Sequence, residues 1–385
     1  MKKLVKKVLS VIAIIIKKPI MKLRRTKKIV LYSHFITMDS HLMKYYDAIK
    51  DLNYNIKFVF FNYKKIDKER YKKLGINPKK VIKSKLTYLL SSPNVIVIAD
   101  LNINYEFVFP CKTIFLGHGG SPTVNDYSGR DVPYPYGKNS VDKKGNPKYS
   151  IYYEANKYII PIIEKNFNFK NKLIFTGNKY CETYDQNNAN REKYRKELDI
   201  SDNQKAIFII GSWNKESLFH KLGKEFLDEI KKLAKMSEYK FIVSIHPREY
   251  IKYSDDVEPM GPYINELEKY GVIVKKPGTD MSPYIVSADL ILCDYTGVLE
   301  ECIICNKDIV LSAFECTNLY SESIGVRLGN KISRITNAKE LLAIISTPYN
   351  EKYRKYINDI KSEVYAPKNY YNNICISTTQ ELLKK

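Results

Sequence analysis

The stretch S-A-D-L-I-L-C-D-Y-T-G-V-L-E-E-C-I-I-C-N-K-D-I-V-L, Ser287 to Leu311, decides the fold. Leu290-Ile291-Leu292-Cys293 is an unbroken apolar run of strand length, and Ile309-Val310-Leu311 is a second. Unbroken runs, as opposed to alternating ones, belong to strands buried on both faces, which is the condition of a parallel sheet covered by helices. The segment between them starts as a polar turn and continues as an apolar stretch of helical length, so the unit reads as strand, turn, helix, strand. A helix that starts at such a turn offers unpaired backbone N–H groups and a positive dipole end to an anion. Glu300 and Glu301 lie one turn inside it, within reach of a ribose or a cation. The plainer alternative is an ordinary strand-to-helix turn with Thr296 or Asp294 as the N-cap.

The same alternation extends outward in both directions. Upstream, Ile29 to Ser33, Ile56 to Phe61, Val95 to Ala99, Thr113 to Leu116 and Lys172 to Phe175 read as buried strands separated by helical lengths. A second series has strands at Ala206 to Ile210, Phe241 to Ile245, Val272 to Val274, Leu290 to Cys293 and Ile309 to Leu311. The 385 residues accommodate two domains of ordinary size. The expectation is an α/β protein of two Rossmann-like doubly wound domains facing across a cleft: residues 29–200, then 201–385 with C-terminal helices, preceded by a basic extension at 1–28. Between Gly117 and Tyr149 the chain is rich in Gly, Pro, Asp and Tyr without apolar periodicity, and reads as a long loop above the first sheet.

Charge narrows the partners. The net charge is +22, which favours an anionic partner: nucleic acid, an acidic membrane surface or a phosphate-rich substrate. Met1 to Lys28 holds eleven Lys or Arg and no acid around the apolar run Val8 to Ile16. As a helix that run would be roughly 14 Å long, too short for a hydrocarbon core of about 30 Å. It reads as a segment that lies on an anionic membrane; a plain basic extension and a signal peptide are the alternatives, and Lys17-Lys18 stands where a cleavage site would need small residues. The seven cysteines include a single C-x-x-C, Cys302 and Cys305, with no second pair to complete a zinc site. Both read as buried core thiols in a reducing compartment.

Four polar clusters fall at expected carboxyl ends of strands, where doubly wound sheets bind ligands. They are Gly117-His118-Gly119-Gly120-Ser121, Ser212-Trp213, His246-Pro247-Arg248-Glu249 and Asp294-Tyr295-Thr296-Gly297. His118, flanked by glycines that permit close approach, suits proton removal from an attacking hydroxyl. Pro247 biases His246 to an extended conformation, and His246 with Arg248 could neutralise a diphosphate. For each cluster taken alone, a satisfied structural turn is the competing reading. His34, His41 and His220 lack partners at informative spacing and read as structural or surface residues. The chain has no Walker loop, G-x-G-x-x-G, H-E-x-x-H or D-x-D flanked by apolar residues, and no recognised nucleic-acid module.

With those clusters in view, the chain resembles the CDP-glycerol glycerophosphotransferase family, the teichoic-acid primases and polymerases built on the two-Rossmann GT-B plan. The resemblance spans about Ile29 to Ile345 and is most specific at D-Y-[ST]-[SG]-V-x-x-[DE], here Asp294 to Glu301. His246-Pro247, Ser212-Trp213 for the family's Thr-Trp and His118-Gly119 for its Trp-His-Gly support it. It implies that His118 and His246 are catalytic. It further implies that Arg248, Ser212, Asp294, Thr296, Gly297 and Glu301 hold the donor diphosphate and nucleotide, and that Gly119, Gly120 and Ser121 form an acceptor loop. The implied donor is a CDP-alditol, CDP-glycerol or CDP-ribitol, and the acceptor lipid-linked or polymeric. No protein-bound cofactor and no metal site is implied, with room for a divalent cation shared with substrate phosphates, and the enzyme would work in the cytoplasm at the inner face of the membrane. Gly117 replaces the family tryptophan, Asn214 the arginine after Thr-Trp, and Gly297 the second serine of the phosphate turn. A GT-B enzyme using a nucleotide sugar and a basic polymer-binding module are the competing classes.

Overall fold

The computed structural model describes residues 26–384 except 35, 63–64, 68, 85–86, 89–90, 101–110, 118–119, 127, 129, 143, 214, 253–256, 278 and 315–317. The chain divides into two compact units. The first takes residues up to Gly120, Pro135–Lys179 and the chain from Lys368; the second takes Ser121–Tyr134 and Tyr180–Pro367.

The first unit holds strands β1 (Lys28–Ser33), β2 (Asn55–Asn62), β3 (Lys65–Ile66), β4 (Val95–Ile98), β5 (Lys112–Phe115), β6 (Ile151–Glu154) and β7 (Leu173–Phe175), in sheet order β3-β2-β1-β4-β5-β6-β7. All neighbours are parallel except the β2–β3 pair. The β-branched runs explain the sheet: Ile29, Val30, Leu31, Val95, Ile96, Val97 and Ile98 are all fully buried, each such side chain contributing about 1.5–3 kcal/mol. Helix Asp39–Ile49 and the C-terminal helix Tyr370–Lys384 pack on this sheet together. The Tyr45 hydroxyl meets Thr379 Oγ1 in their buried interface.

The second unit holds β8 (Lys205–Gly211), β9 (Tyr239–Ile245), β10 (Ile273–Val274), β11 (Leu290–Cys293), β12 (Asp308–Ser312) and β13 (Arg334–Ile335), in order β10-β9-β8-β11-β12-β13. Every pairing is parallel. Numbered from β8, this is the doubly wound order 3-2-1-4-5-6, whose direction of winding reverses between β8 and β11. Helical segment Leu218–Leu233, kinked at Gly223, covers one face through Leu218, Phe219 and Leu222 before the kink and Phe226, Leu227, Ile230 and Leu233 after it, the latter an apolar stripe at helical period.

The units do not divide at residue 200/201. Helix Arg191–Glu197 belongs to the second unit because Arg191 and Arg195 donate to the backbone carbonyls of Val286, Ser287 and Ala288 and to the Asp289 carboxylate. The final helix belongs to the first unit through its packing on Asp39–Ile49. Ser121–Tyr134, taken from the long loop, joins the second unit: Val124 bridges Leu319, the Asn125 N–H donates to Asn318 O at 2.9 Å, and the Tyr320 N–H donates to Thr123 O at 3.0 Å. Cys302 and Cys305 are buried core thiols as their sequence suggested. The basic segment 1–25 lies outside the described residues. Among the described residues, no helix is long and apolar enough to cross a membrane.

Candidate active site at the carboxyl end of the second sheet

Three neighbouring strands, β9, β8 and β11, end level with one another: Gly211 pairs with Ile245 and Ile210 with Cys293. Their registers therefore place His246, Ser212 and Asp294 side by side at the reversal point. Asp294 is wholly buried. Its Oδ2 accepts from the Ser212 N–H and Oγ–H, both at 2.8 Å, and from the Leu218 N–H at 3.2 Å, while Oδ1 has no hydrogen-bond partner among the described residues. Burial pushes the Asp294 pKa up, and the bonds from Ser212 and Leu218 oppose that shift. Asp294 is thus turned inward, where it ties the end of β8 and the start of helix Leu218–Leu233 to β11.

The turn that follows leaves Thr296 half-buried and Gly297 exposed. The Thr296 N–H donates to Asp294 O at 2.8 Å and its Oγ1 accepts from the Val298 N–H at 3.4 Å. The next helix, Leu299–Ile304, is only six residues long, so its dipole is short and anion stabilisation here falls to side chains. Tyr295 anchors the turn from below, buried against helix Ile324–Gly329. At Gly325 a Cβ would come within 2.6 Å of the Tyr295 ring, whereas at Gly297 it would meet nothing within 4 Å.

His246 caps the short turn Pro247–Tyr250: its Nδ1 accepts from the Arg248 N–H at 3.2 Å. That bond selects the neutral tautomer with its proton on Nε2, free to be donated outward. Although His246 is exposed as a residue, partial desolvation of its ring and the Arg248 guanidinium push its pKa down, against the opposing pull of Glu249. Arg248 lies over the indole of Trp213, with Cζ 4.2 Å from the ring centroid, and the same indole stands 6.0 Å from the His246 ring. Beneath, the buried Glu249 carboxylate bonds His220 Nε2 at 2.9 Å and the Met260 N–H at 3.2 Å, so His220 holds the turn and is not an idle surface residue.

The two glutamates after the turn part ways. Glu300 Oε2 accepts from the Ser121 N–H at 2.7 Å and from its hydroxyl, and Glu300 lines a small open cleft with Ser121, Tyr295, Thr296 and Gly297. Glu301 instead accepts from the buried Tyr184 hydroxyl and does not line that cleft. Consecutive helical residues point about 100° apart, and the sequence carries no signal for which one faces the turn. Of the sequence-derived residues, Ser212, His246, Arg248, Asp294, Thr296 and Gly297 sit at the ends of adjacent strands. Gly120 is exposed in the first unit, Ser121 joins the second, and His118 and Gly119 lie outside the described residues. Trp213 and Glu300 gather with them through contacts remote in sequence. Among the described residues, no three His, Cys, Asp or Glu side chains cluster as metal ligands.

Two doubly wound units, with polar strand ends at the reversal point of the second, define the GT-B class of α/β transferase folds. Solved structures share the architecture: the wall teichoic acid polymerase TagF matches with TM-score 0.61 at 14% identity, covering 100% of this chain and 98% of that one. The S. aureus MnaA-UDP co-structure matches with TM-score 0.56 at 13% identity, covering 94% and 98%. The chain belongs to the CDP-Glycerol:Poly(glycerophosphate) glycerophosphotransferase family, whose model matches residues 16–364. A curated relative, the UDP-N-acetylglucosamine--N-acetylmuramyl-(pentapeptide) pyrophosphoryl-undecaprenol N-acetylglucosamine transferase of Finegoldia magna (strain ATCC 29328 / DSM 20472 / WAL 2508), is 26% identical over 121 residues, 31% of this chain and 31% of that protein. The chain therefore aligns with less than a third of that relative's length.

Proposed function

We propose that the protein transfers a polyol phosphate, glycerol phosphate in the first instance, from a CDP-alditol to a hydroxyl of a lipid-linked or polymeric acceptor in teichoic-acid-like or capsular polymer synthesis. The observation that carries this reading is the gathering of Ser212, His246, Arg248 and Thr296 at level strand ends beside the reversal point, in a chain of this family. The acceptor oxygen attacks the β-phosphorus; the new P–O bond forms as the bond to the α-phosphate bridging oxygen breaks, and CMP leaves. His118 takes the acceptor proton. The His246 Nε2–H and the Arg248 guanidinium meet the negative charge that grows on the departing CMP, and Thr296 hydrogen-bonds the transferred phosphoryl group. Such a reaction is accelerated by positioning and charge stabilisation, with no covalent enzyme intermediate. Nothing in this scheme needs a protein-bound cofactor; a divalent cation would act on the substrate phosphates.

The partial match to an N-acetylglucosamine transferase favours a second reading, sugar transfer from a nucleotide sugar. The leaving group separates the two, because sugar transfer releases a nucleoside diphosphate. CMP release from CDP-glycerol and CDP-ribitol is to be measured with a lipid-linked acceptor for the wild-type chain, His118→Ala and His246→Ala. Turnover lost by about 10²–10⁴-fold in each variant, with folding retained, is the expected outcome. No CMP from either donor would overturn the polyol-phosphate reading.

A further inference from the structure

Arg248 is exposed, yet its guanidinium makes no hydrogen bond or ion pair with any described residue. Its contact is the indole of Trp213, the single tryptophan of the chain. An exposed arginine on a flexible stem normally samples many rotamers, and binding an anion must first select one of them. A guanidinium stacked at 4.2 Å on an indole face is already selected, and stacking leaves its in-plane N–H edge open. The turn that carries Arg248 is fixed as well, by the His246 Nδ1 cap above and the buried Glu249–His220 pair below.

We propose that Trp213 is a positioning residue for donor recognition: its indole holds the Arg248 fork toward the diphosphate of a cytidine diphosphate donor. The proposal deepens the polyol-phosphate reading and rests on it. It also predicts that the tryptophan's effect on CDP binding runs through Arg248. Removing the indole after the guanidinium is gone should then weaken CDP binding little further, which a general packing role for Trp213 would not reproduce.

The test is a double-mutant cycle read by calorimetric titration with CDP and with CDP-glycerol, using the full chain as wild type, Trp213→Ala, Arg248→Ala and the double variant. Trp213→Ala is expected to weaken CDP binding about fivefold to tenfold, in the range of a partly desolvated cation–π contact, and Arg248→Ala by more. The double variant is expected to match Arg248→Ala. Trp213→Phe, which keeps an aromatic face, should lie within about threefold of wild type and so guards against misfolding of the alanine form. In the wild type the sole tryptophan should also report CDP through its fluorescence, and that response should shrink in Arg248→Ala. If CDP binds the wild type and Trp213→Ala binds equally well, or the two losses simply add, the positioning role is overturned while the donor reading stands. If CDP and CDP-glycerol both fail to bind the folded wild type, the donor reading falls and the proposal with it.

Discussion

Asp294 shows how a residue at the strand ends can serve to tie neighbouring strands together. Its buried carboxylate gathers the Ser212 N–H and hydroxyl and the Leu218 N–H, and each of those donors would be stranded without it. Asp294→Ala should therefore destabilise the second unit by roughly 2–4 kcal/mol, from two buried N–H groups and a hydroxyl left unpaired, and lower the thermal midpoint in step. A midpoint within error of wild type would show that Ser212 and Leu218 find other partners. His246 carries a separate expectation. Because partial desolvation and Arg248 push its pKa below the ordinary 6.5, the folded chain binds fewer protons at this ring than the unfolded chain once pH falls below that value. Its contribution to stability is thus complete above 6.5 and lost as pH falls toward the folded pKa. Thermal melts across pH 5 to 7.5 should show the wild-type advantage over His246→Ala shrinking on acidification; parallel curves would mean the imidazole is not held neutral. His246, Arg248, Thr296 and Gly297 were legible in the sequence because each lies within a few residues of the end of an apolar run. Glu300 and the Trp213–Arg248 stack were not, since one depends on helical phase and the other on which strands are neighbours.

At the scale of elements, the turn after β11 is shaped from beneath by Tyr295 on helix Ile324–Gly329. A methyl group at position 325 would sit 2.6 Å from one ring carbon of Tyr295 and 3.3 Å from the next. Alanine improves helix propensity by up to about 1 kcal/mol over glycine, but this position lies in the first turn, where little of that is gained, and overpacking costs about 1–3 kcal/mol. The clash should win. Gly325→Ala is expected to lower stability by about 1–2 kcal/mol and to weaken CDP binding, because relief comes most easily by moving the turn. Gly297→Ser, by contrast, enters open space without an unusual φ, and its stability should stay within about 0.5 kcal/mol of wild type. A comparison of chemical denaturation for the two variants checks both, and equal midpoints would refute the assignment of Tyr295 as the turn's support. The strands around this turn were readable because aliphatic runs such as Leu290-Ile291-Leu292 and Ile309-Val310-Leu311 have one stable environment, the middle of a covered parallel sheet. β6 escaped notice for the converse reason: Ile151-Tyr152-Tyr153-Glu154 has a single aliphatic residue and ends in a carboxylate. Only the structure reveals that Tyr152 and Tyr153 are buried and that Glu154 is satisfied by Tyr136 and the Asn156 N–H.

For the whole molecule, the net charge of +22 poses the question that the fold does not answer by itself. Nucleotide donors are small and need only a few cations, so an excess of this size favours an extended anionic partner, and the proposed lipid-linked acceptor at an acidic membrane surface would be one. Residues 1–25 hold nine basic residues and no acid beside the apolar run Val8 to Ile16, and removing them lowers the net charge to +13. Each basic residue near an anionic bilayer is worth about 1 kcal/mol, and the apolar run adds burial at the headgroup boundary. Deleting residues 1–25 should therefore weaken sedimentation with vesicles containing acidic phospholipid by at least about a hundredfold in partition coefficient, with little change for neutral vesicles. The binding that remains should fall as salt is raised, since the Debye length is about 10 Å at 0.1 M. CMP release with a water-soluble acceptor should survive the deletion, because the strand ends that gather Ser212, His246, Arg248 and Thr296 lie in the second unit. Equal vesicle binding by the full and shortened chains would transfer the membrane role to the remaining charge of the two units. Loss of soluble-acceptor turnover would instead make the segment part of the catalytic fold.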